Sequence, residues 1–279
     1  MARLTKISAY HYVKLVFRSL LFLAALVLYL VGRATGDERP FQFLTGMPFL
    51  LFAILLIYAV EMLLRFFPSS LESMGCQKQF RRNFHPSAPL AEGERIRLGT
   101  WRSTLAVAAA WVGLNAPLAV LYYLGILDGG ILLLVSLFYS VADMICILFF
   151  CPFQTWFMKN KCCGACRIYN WDYAMMFTPL LFLDNFFGYA LFSLGFLLLL
   201  FWEVAVLLHP ERFSAATNTA LRCENCPEKL CQHKRQLRAF LKKNAARIRL
   251  SETLAPLLSR ARRIVRRDRK DSDNDTHKE

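Results

Sequence analysis

The stretch NKCCGACRIYNWD, residues 160–172, holds three cysteines within five positions and lies between two strongly apolar regions. Thiolates bind zinc and iron–sulfur clusters, and they also take part in redox chemistry. Cys163 and Cys166 form a C-x-x-C pair, a spacing that lets both sulfurs of one turn point at a single ion. The first question is whether these thiols bind a metal, form disulfides or only pack.

Seven of the nine cysteines fall into two groups, each with one C-x-x-C pair. The first group is Cys151, Cys162, Cys163 and Cys166, and the second, in CENCPEKLCQH, is Cys223, Cys226, Cys231 and His233. Two such pairs provide the ligands of a four-thiolate site. We therefore predict that the two groups together hold a zinc ion or an iron–sulfur cluster.

The identity of the metal stays open. Prolines follow Cys151 and Cys226, which favours an iron–sulfur cluster, whereas His233 favours zinc. The run Cys162-Cys163-Gly164 followed by a further cysteine is similar to the cysteine-rich CCG domains of heterodisulfide reductases, although the spacings here depart from theirs. Neighbouring side chains diverge, so either Cys162 or Cys163 would be left as a reactive thiol.

Two other interpretations of the cysteines compete with metal binding. Cysteine packs as a small apolar residue, which explains Cys146 but not the second group, whose neighbours are polar. Disulfides require the second group to lie outside the cytosol, where thiols are not kept reduced. A membrane thiol–disulfide oxidoreductase that uses Cys162, Cys163 and Cys166 is the corresponding function.

The composition indicates an all-α integral membrane protein. Of the 279 residues, 56% are hydrophobic and only 19% are charged, and the charges are gathered into blocks. Backbone groups inside lipid need internal partners, and continuous rather than alternating apolar runs favour helices over a barrel. In such a protein the net charge of +14 predicts cytoplasmic loops and contact with anionic lipid, not nucleic-acid binding.

Four apolar runs have the length of a membrane span, and a fifth is too long for one span and short for two. The four are Leu15–Val31, Met47–Leu64, Leu105–Leu124 and Ile131–Phe150, and the fifth is Met175–Leu208. Lys and Arg are concentrated before the first run, after the second and in the C-terminal tail, which predicts that both termini are cytoplasmic. The fifth run must then enter and leave on one side, so we predict a helical hairpin or re-entrant segment that turns near Asp184, Asn185 and Gly188. A hairpin would bring both cysteine groups to the cytoplasmic face.

Ionisable residues inside apolar runs point to function by default. Asp143 is the strongest candidate, with Asn115 of the preceding run opposite it, and Asp184 lies at the predicted turn. These three residues would line the path of a transporter or channel, or form a buried polar network. For the other charged residues we expect local explanations. Arg18 would extend to the interface, Glu61 would pair with Arg65 one turn later, and Glu203 would extend to the interface or pair with the basic tail.

The chain thus divides into a polytopic membrane domain, a Cys/His-rich segment, a basic amphipathic helical tail and a disordered tail. Their bounds are 1–208, 209–233, 234–267 and 268–279. The basic tail is expected to lie on anionic lipid headgroups at the cytoplasmic face, where a protein partner could also bind. The sequence identifies no substrate or reaction.

Overall fold

The computed structural model describes residues 6–36, 48–68, 74–87, 101–159, 166–225 and 239, and these residues form helices and turns with no strand. Its internal packing divides the chain into two units, Met1–Cys231 and Gln232–Glu279. Apart from Ala239, the predicted basic and disordered tails lie outside the described residues. All the described residues before Ala239 therefore belong to the first unit.

In the described parts of this unit, seven α-helices are joined by short irregular helices. The α-helices are α1 (Lys6–Thr35), α2 (Pro48–Leu63), α3 (Met74–Gln77), α4 (Trp101–Tyr123), α5 (Gly129–Leu148), α6 (Asp172–Phe177) and α7 (Phe186–Leu208). The 3₁₀ segments are Arg81–Asn83, Arg167–Trp171, Thr178–Phe182, Pro210–Arg212, Thr219–Leu221 and Cys223–Asn225, and Phe153–Phe157 is a π-helical turn.

Four of the described helices are long and apolar enough to cross a membrane. The apolar spans are Ser8–Thr35, Trp101–Tyr123, Gly129–Leu148 and Phe186–Leu208. Within the predicted second run, Met47–Leu64, the 16-residue helix α2 covers Pro48–Leu63. At 1.5 Å per residue α2 is about 24 Å long, somewhat shorter than a hydrocarbon core of about 30 Å.

Side-chain caps and one glycine explain where the long helices begin and end. Asp128 accepts a hydrogen bond from the Ile131 amide at the start of α5, and Asn185 accepts one from the Gly188 amide at the start of α7. Between α4 and α5, Gly125 has a φ of +73°, a left-handed conformation that ends helices readily when the residue has no Cβ.

The segment before α7 is a helix broken into short pieces, in the order 3₁₀, α6 and 3₁₀. Pro179 has no N–H to bond the carbonyl four residues earlier, so α6 cannot continue through it. The Thr178 hydroxyl, one residue before the proline, instead donates to the Ala174 carbonyl at 2.8 Å. With the rise of each helix type, the segment Arg167–Phe182 extends about 29 Å.

This broken segment and α7 pack against each other as an antiparallel hairpin. At one end Arg167 pairs with Glu203 at 2.7 Å. Further along, a Cβ placed on Gly195 would lie 3.0 Å from the Ala174 amide nitrogen. At the other end a Cβ on Gly188 would lie 2.6 Å from the Leu180 carbonyl oxygen, so the chain reverses between Phe182 and Phe186.

The two ends of the bundle differ in character. At the end we call the basic end, α1 begins while α2, α5 and α7 finish: Tyr12 contacts Phe149, and Phe66 contacts Phe201. At the opposite end, the Asp128 end, α1 finishes beside the start of α5, where Arg33 pairs with Asp128 at 3.1 Å.

Two connecting segments cover the basic end, residues 74–87 and 210–225. The fully buried Asn218 joins them, since its amide donates to the Lys78 carbonyl at 3.0 Å and to the Arg212 carbonyl at 2.9 Å. Backbone bonds from Ser87 to Thr217 and from Thr219 to His85 add to this contact. Trp202 of α7 packs beneath it against Phe80 and Phe213.

The close approach at Gly188 predicts an unequal response to two Gly-to-Ala substitutions. Gly188→Ala should lower the free energy of unfolding by about 1–3 kcal/mol, because the new methyl group meets backbone rather than a movable side chain. Gly113→Ala in α4 is the matched control: its Cβ would have nothing within 4 Å, so it should be neutral or slightly stabilising. Thermal or denaturant unfolding in detergent measures both, and equal effects would contradict the hairpin packing.

Candidate functional site

A network of buried cations and partly buried carboxylates lies inside the bundle near the basic end. Lys14 and Arg18 are four residues apart on α1, so both face the same side of the helix. That side faces Glu61 near the end of α2 and Asp143 on α5. Each helix therefore contributes to one site, although the residues are far apart in sequence.

Arg18 is the centre of this network. Its guanidinium bonds Asp143 Oδ2 at 3.0 Å and Glu61 Oε2 at 2.9 Å, and it donates to the Ser140 carbonyl at 3.2 Å. Only 2% of the Arg18 side chain is exposed. The ring of Tyr58 lies against the guanidinium, with 5.3 Å from its centroid to the Arg18 Cζ. One side chain thus joins α1, α2 and α5.

Glu61 connects this centre to the hairpin. It accepts from the Tyr173 hydroxyl of α6 at 2.8 Å and pairs with Lys14 Nζ at 3.3 Å. The Tyr58 hydroxyl and Ser140 Oγ, 2.7 Å apart, extend the polar contacts toward the middle of the bundle.

A second pair lies beside the first. Arg65, which follows the end of α2, bonds Asp172 Oδ1 at 2.7 Å. Its guanidinium also lies over the rings of Tyr173 and Tyr169, at 4.5 and 5.5 Å. Three cations and three carboxylates therefore share this region, and their formal charges cancel: Lys14, Arg18, Arg65, Glu61, Asp143 and Asp172.

Charge cancellation is what makes such burial tolerable. An unpaired ion in a low-dielectric interior costs several kcal/mol, and in a membrane span the cost is of the same order or larger. Attraction to a partner of opposite charge, together with hydrogen bonds, offsets most of this desolvation free energy. The network therefore fixes which helix faces meet, because a shift of one helix would leave a charge without its partner.

Three local expectations for charged residues prove wrong. Arg18 does not extend to the interface, since it is enclosed by its two carboxylates. Glu61 does not pair with Arg65, because α2 ends at Leu63 and the turn after it carries Arg65 toward Asp172. Glu203 does not extend outward, since it bonds Arg167 at 2.7 Å and the Trp171 indole at 2.9 Å.

The proposed transport residues do not gather at one place. Asp143 lies in the network. Asp184 lies at the hairpin turn, where it accepts from the Tyr189 hydroxyl at 3.3 Å. Asn115 is buried in α4, and its amide donates to the Trp111 carbonyl of the same helix at 3.0 Å.

A cavity of about 560 Å³ adjoins the network, and we call it the thiol cavity. Three cysteines line it, Cys146, Cys151 and Cys166, together with Asp143 and Asp172. Apart from Gln154 the rest of its wall is apolar or aromatic: Trp111, Leu114, Phe138, Tyr139, Ala142, Ile145, Ile147, Phe150, Pro152, Phe153, Trp156, Ile168, Tyr169, Met175 and Met176. Its cysteines therefore share one cavity with two carboxylates of the network.

Of the predicted metal ligands, only Cys151 and Cys166 have side chains among the described residues. Cys151 and Cys166 both line the thiol cavity, and Cys151 Sγ accepts from the Gln154 amide at 3.4 Å. Cys162, Cys163, Cys226, Cys231 and His233 lie outside the described residues, as does the side chain of Cys223. Within the part of the chain that is described, no three His, Cys, Asp or Glu side chains come close enough to hold a metal.

The sequence contains a signal for the network that our predictions missed. Lys14 and Arg18 lie on one face of an apolar helix, and two acids, Glu61 and Asp143, occur in other apolar runs. Equal numbers of opposite charges in separate spans predict that the spans pack together through them. Tyr58 and Tyr173 carry no comparable signal, because tyrosines are common in membrane helices.

Removal of Arg18 tests the network. Arg18→Met should lower the free energy of unfolding by about 3–5 kcal/mol, because Glu61 and Asp143 lose a buried partner. Arg33→Met is the matched control on the same helix: Arg33 is 61% exposed in its pair with Asp128, so its loss should cost at most about 1 kcal/mol. Unfolding in detergent measures both, and similar small losses would show that the network does not hold the bundle together.

Comparison with known protein families, curated proteins and solved structures finds no significant match to this chain.

Proposed function

We propose that this is a multi-pass membrane protein whose cytoplasmic end carries a thiolate centre for zinc or an iron–sulfur cluster. The observation that supports this most directly is the hairpin. It returns the chain to the basic end, so that Cys166, before the hairpin, and the segment leading to Cys223, after it, lie at the same end of the bundle.

The distribution of charge supports a cytoplasmic basic end. Exposed arginines in the two segments that cover this end include Arg81, Arg82 and Arg222. The Asp128 end has Arg33 balanced by Asp128. Membrane proteins place excess Lys and Arg on the cytoplasmic side, so both termini would be cytoplasmic. The tail at 234–267 would then lie on anionic headgroups, where a protein partner could join it.

The ligands of the centre would come from both cysteine groups. Cys151 and Cys166 lie at the two ends of the segment that contains Cys162 and Cys163, and both line one cavity. Cys223, Cys226, Cys231 and His233 would complete the site from the other group. Zinc would make the centre a clasp between the loop after α5 and the tail, whereas an iron–sulfur cluster would make it an electron-transfer station.

A transporter or channel is the weaker candidate. A conduction path needs polar groups that are available along its length. Asp143 is instead matched to Arg18, and Asp184 lies at the hairpin turn by the Asp128 end. Loss of ion flux in Asp143→Asn with unchanged metal content would revive this alternative.

The metal proposal predicts stoichiometric metal in protein purified anaerobically in detergent. Iron with broad visible absorbance would identify an iron–sulfur cluster, and zinc without colour would identify a clasp. A Cys163→Ser, Cys226→Ser double variant should lose at least half of the metal, because it removes one ligand from each group. Cys146→Ala, a cysteine in neither group, should keep it.

Equal metal content in the double variant and the control would contradict a centre shared by the two groups. Absence of metal together with fewer than nine titratable thiols would contradict it as well. That result would favour a thiol–disulfide oxidoreductase based on Cys162, Cys163 and Cys166.

The proposed topology predicts that both chain ends are on one side of the membrane and the α4–α5 turn on the other. Epitope tags at each terminus should be protected or cleaved together in sealed vesicles of one orientation. A tag inserted after Gly125 should show the opposite pattern. If the C-terminal tag shows the same protection as the tag after Gly125, the proposal that the tail is cytoplasmic is wrong.

A further inference from the structure

The thiol cavity has the size and lining of a ligand site. Its volume of about 560 Å³ lies within the range of sites that hold drug-sized ligands. The wall is mostly aromatic and aliphatic, and the carboxylates Asp143 and Asp172 add a polar part on one side. A ligand that fits would have a large apolar body and a small polar group.

The rim of this cavity lies on the outer surface of the bundle. Five of its lining residues are exposed although they are large and apolar: Leu114, Phe138, Ile145, Phe150 and Trp156. Most belong to helices that are long and apolar enough to cross a membrane, so this surface would face lipid. A ligand would therefore enter from the bilayer rather than from water.

The carboxylates leave hydrogen-bonding capacity on the cavity side. Asp143 accepts a hydrogen bond from Arg18 at Oδ2, and among the described residues Oδ1 receives none, while 12% of the side chain stays accessible. Asp172 accepts a hydrogen bond from Arg65 at Oδ1, and within the described part of the chain its buried Oδ2 has no hydrogen-bond partner. A carboxylate oxygen needs a donor, so the apolar ligand should carry an O–H or N–H.

The net charge of the network favours a ligand with a neutral hydrogen-bond donor over a ligand with a cationic one. The three cations near the cavity already balance the three carboxylates. An added cation would be repelled by Arg18 and Arg65 and would leave an uncompensated charge in an apolar site. A hydroxyl donates its proton without adding charge.

We propose that the thiol cavity binds a membrane lipid whose free hydroxyl group donates a hydrogen bond to Asp143, with the apolar body of the lipid against the aromatic and aliphatic wall. An isoprenoid quinol and a lipid alcohol such as diacylglycerol share this chemistry. The proposal rests on membrane insertion but not on the metal centre.

Equilibrium binding to the full chain in detergent tests it with two pairs of labelled probes. One pair is a short-chain ubiquinol and its dimethyl ether, and the other is dioctanoylglycerol and its methyl ether. At least one alcohol should bind about tenfold more tightly than its ether, because a hydrogen bond to a charged acceptor is lost in the ether. Preference for the quinol or for the glyceride identifies the source.

Variants locate the binding site. Asp143→Asn should remove the preference for alcohol over ether, because the amide would keep its oxygen toward Arg18 and present an NH₂ group to the cavity. Met175→Trp fills the cavity without changing a charge, and it should weaken binding of both members of a pair by tenfold or more. Leu133→Trp, which fills a separate cavity beside Tyr58 and Gly188, is the matched control and should bind normally.

Equal binding of alcohols and ethers would overturn the proposal, and so would equal effects of Met175→Trp and Leu133→Trp. If Asp143→Asn fails to fold, the comparison of Met175→Trp with Leu133→Trp and the comparison of alcohols with ethers still test the proposal. Metal content measured on the same samples shows whether the proposed thiolate centre holds metal, independently of whether the cavity binds lipid.

Discussion

The arginine at position 18 imposes the constraint on which the rest of the bundle depends. A guanidinium cannot lose its charge, so once α1 is packed among apolar helices Arg18 must find carboxylates there. Glu61 and Asp143 meet this need from two other helices, at 2.9 and 3.0 Å. Their pairing sets the rotation of α1, α2 and α5 and places Tyr58 and Ser140 beside them. Apolar contacts alone would not define these rotations, because helices that are apolar enough to cross a membrane are about equally hydrophobic on their inner and outer faces.

The hairpin packs against α2 and α5 and adds a fourth element to this arrangement. Tyr173 reaches Glu61, and Asp172 compensates Arg65, so the broken segment is held by the same charges that join the long helices. Pro179 and the close contacts at Gly188 and Gly195 let it lie directly against α7. The return of the chain to the basic end follows from this packing. The thiol cavity lies between the broken segment, α4 and α5, where irregular helices leave space that long straight helices would fill.

Much of the helix layout can be predicted from the sequence, but not the partners of its charges. Continuous apolar runs predict the long helices, because a segment that crosses lipid must be apolar and helical over about 20 residues. Asp184, Asn185 and Gly188 predict the reversal because such residues favour turns. Asp143 is recognisable as unusual, yet its partner is 125 residues away on α1, and no local pattern encodes that distance. The predicted pairing of Glu61 with Arg65 extends helical spacing past Leu63, where the helix in fact ends. The thiol cavity is lined by α4, α5, the π-helical turn and the broken segment. The periodicity of apolar residues within one segment does not predict how these four segments pack together.

A double-mutant cycle between Arg18 and Asp143 tests the central role of the network most directly. The free energy of unfolding would be measured for Arg18→Met, Asp143→Leu and the combined variant in the same detergent. If the pair holds the bundle together, the combined variant should be less destabilised than the sum of the single variants by about 2 kcal/mol or more, since neither charge is then left alone. Losses that add to within about 0.5 kcal/mol would show that the two residues act independently and that the bundle is held together by other contacts.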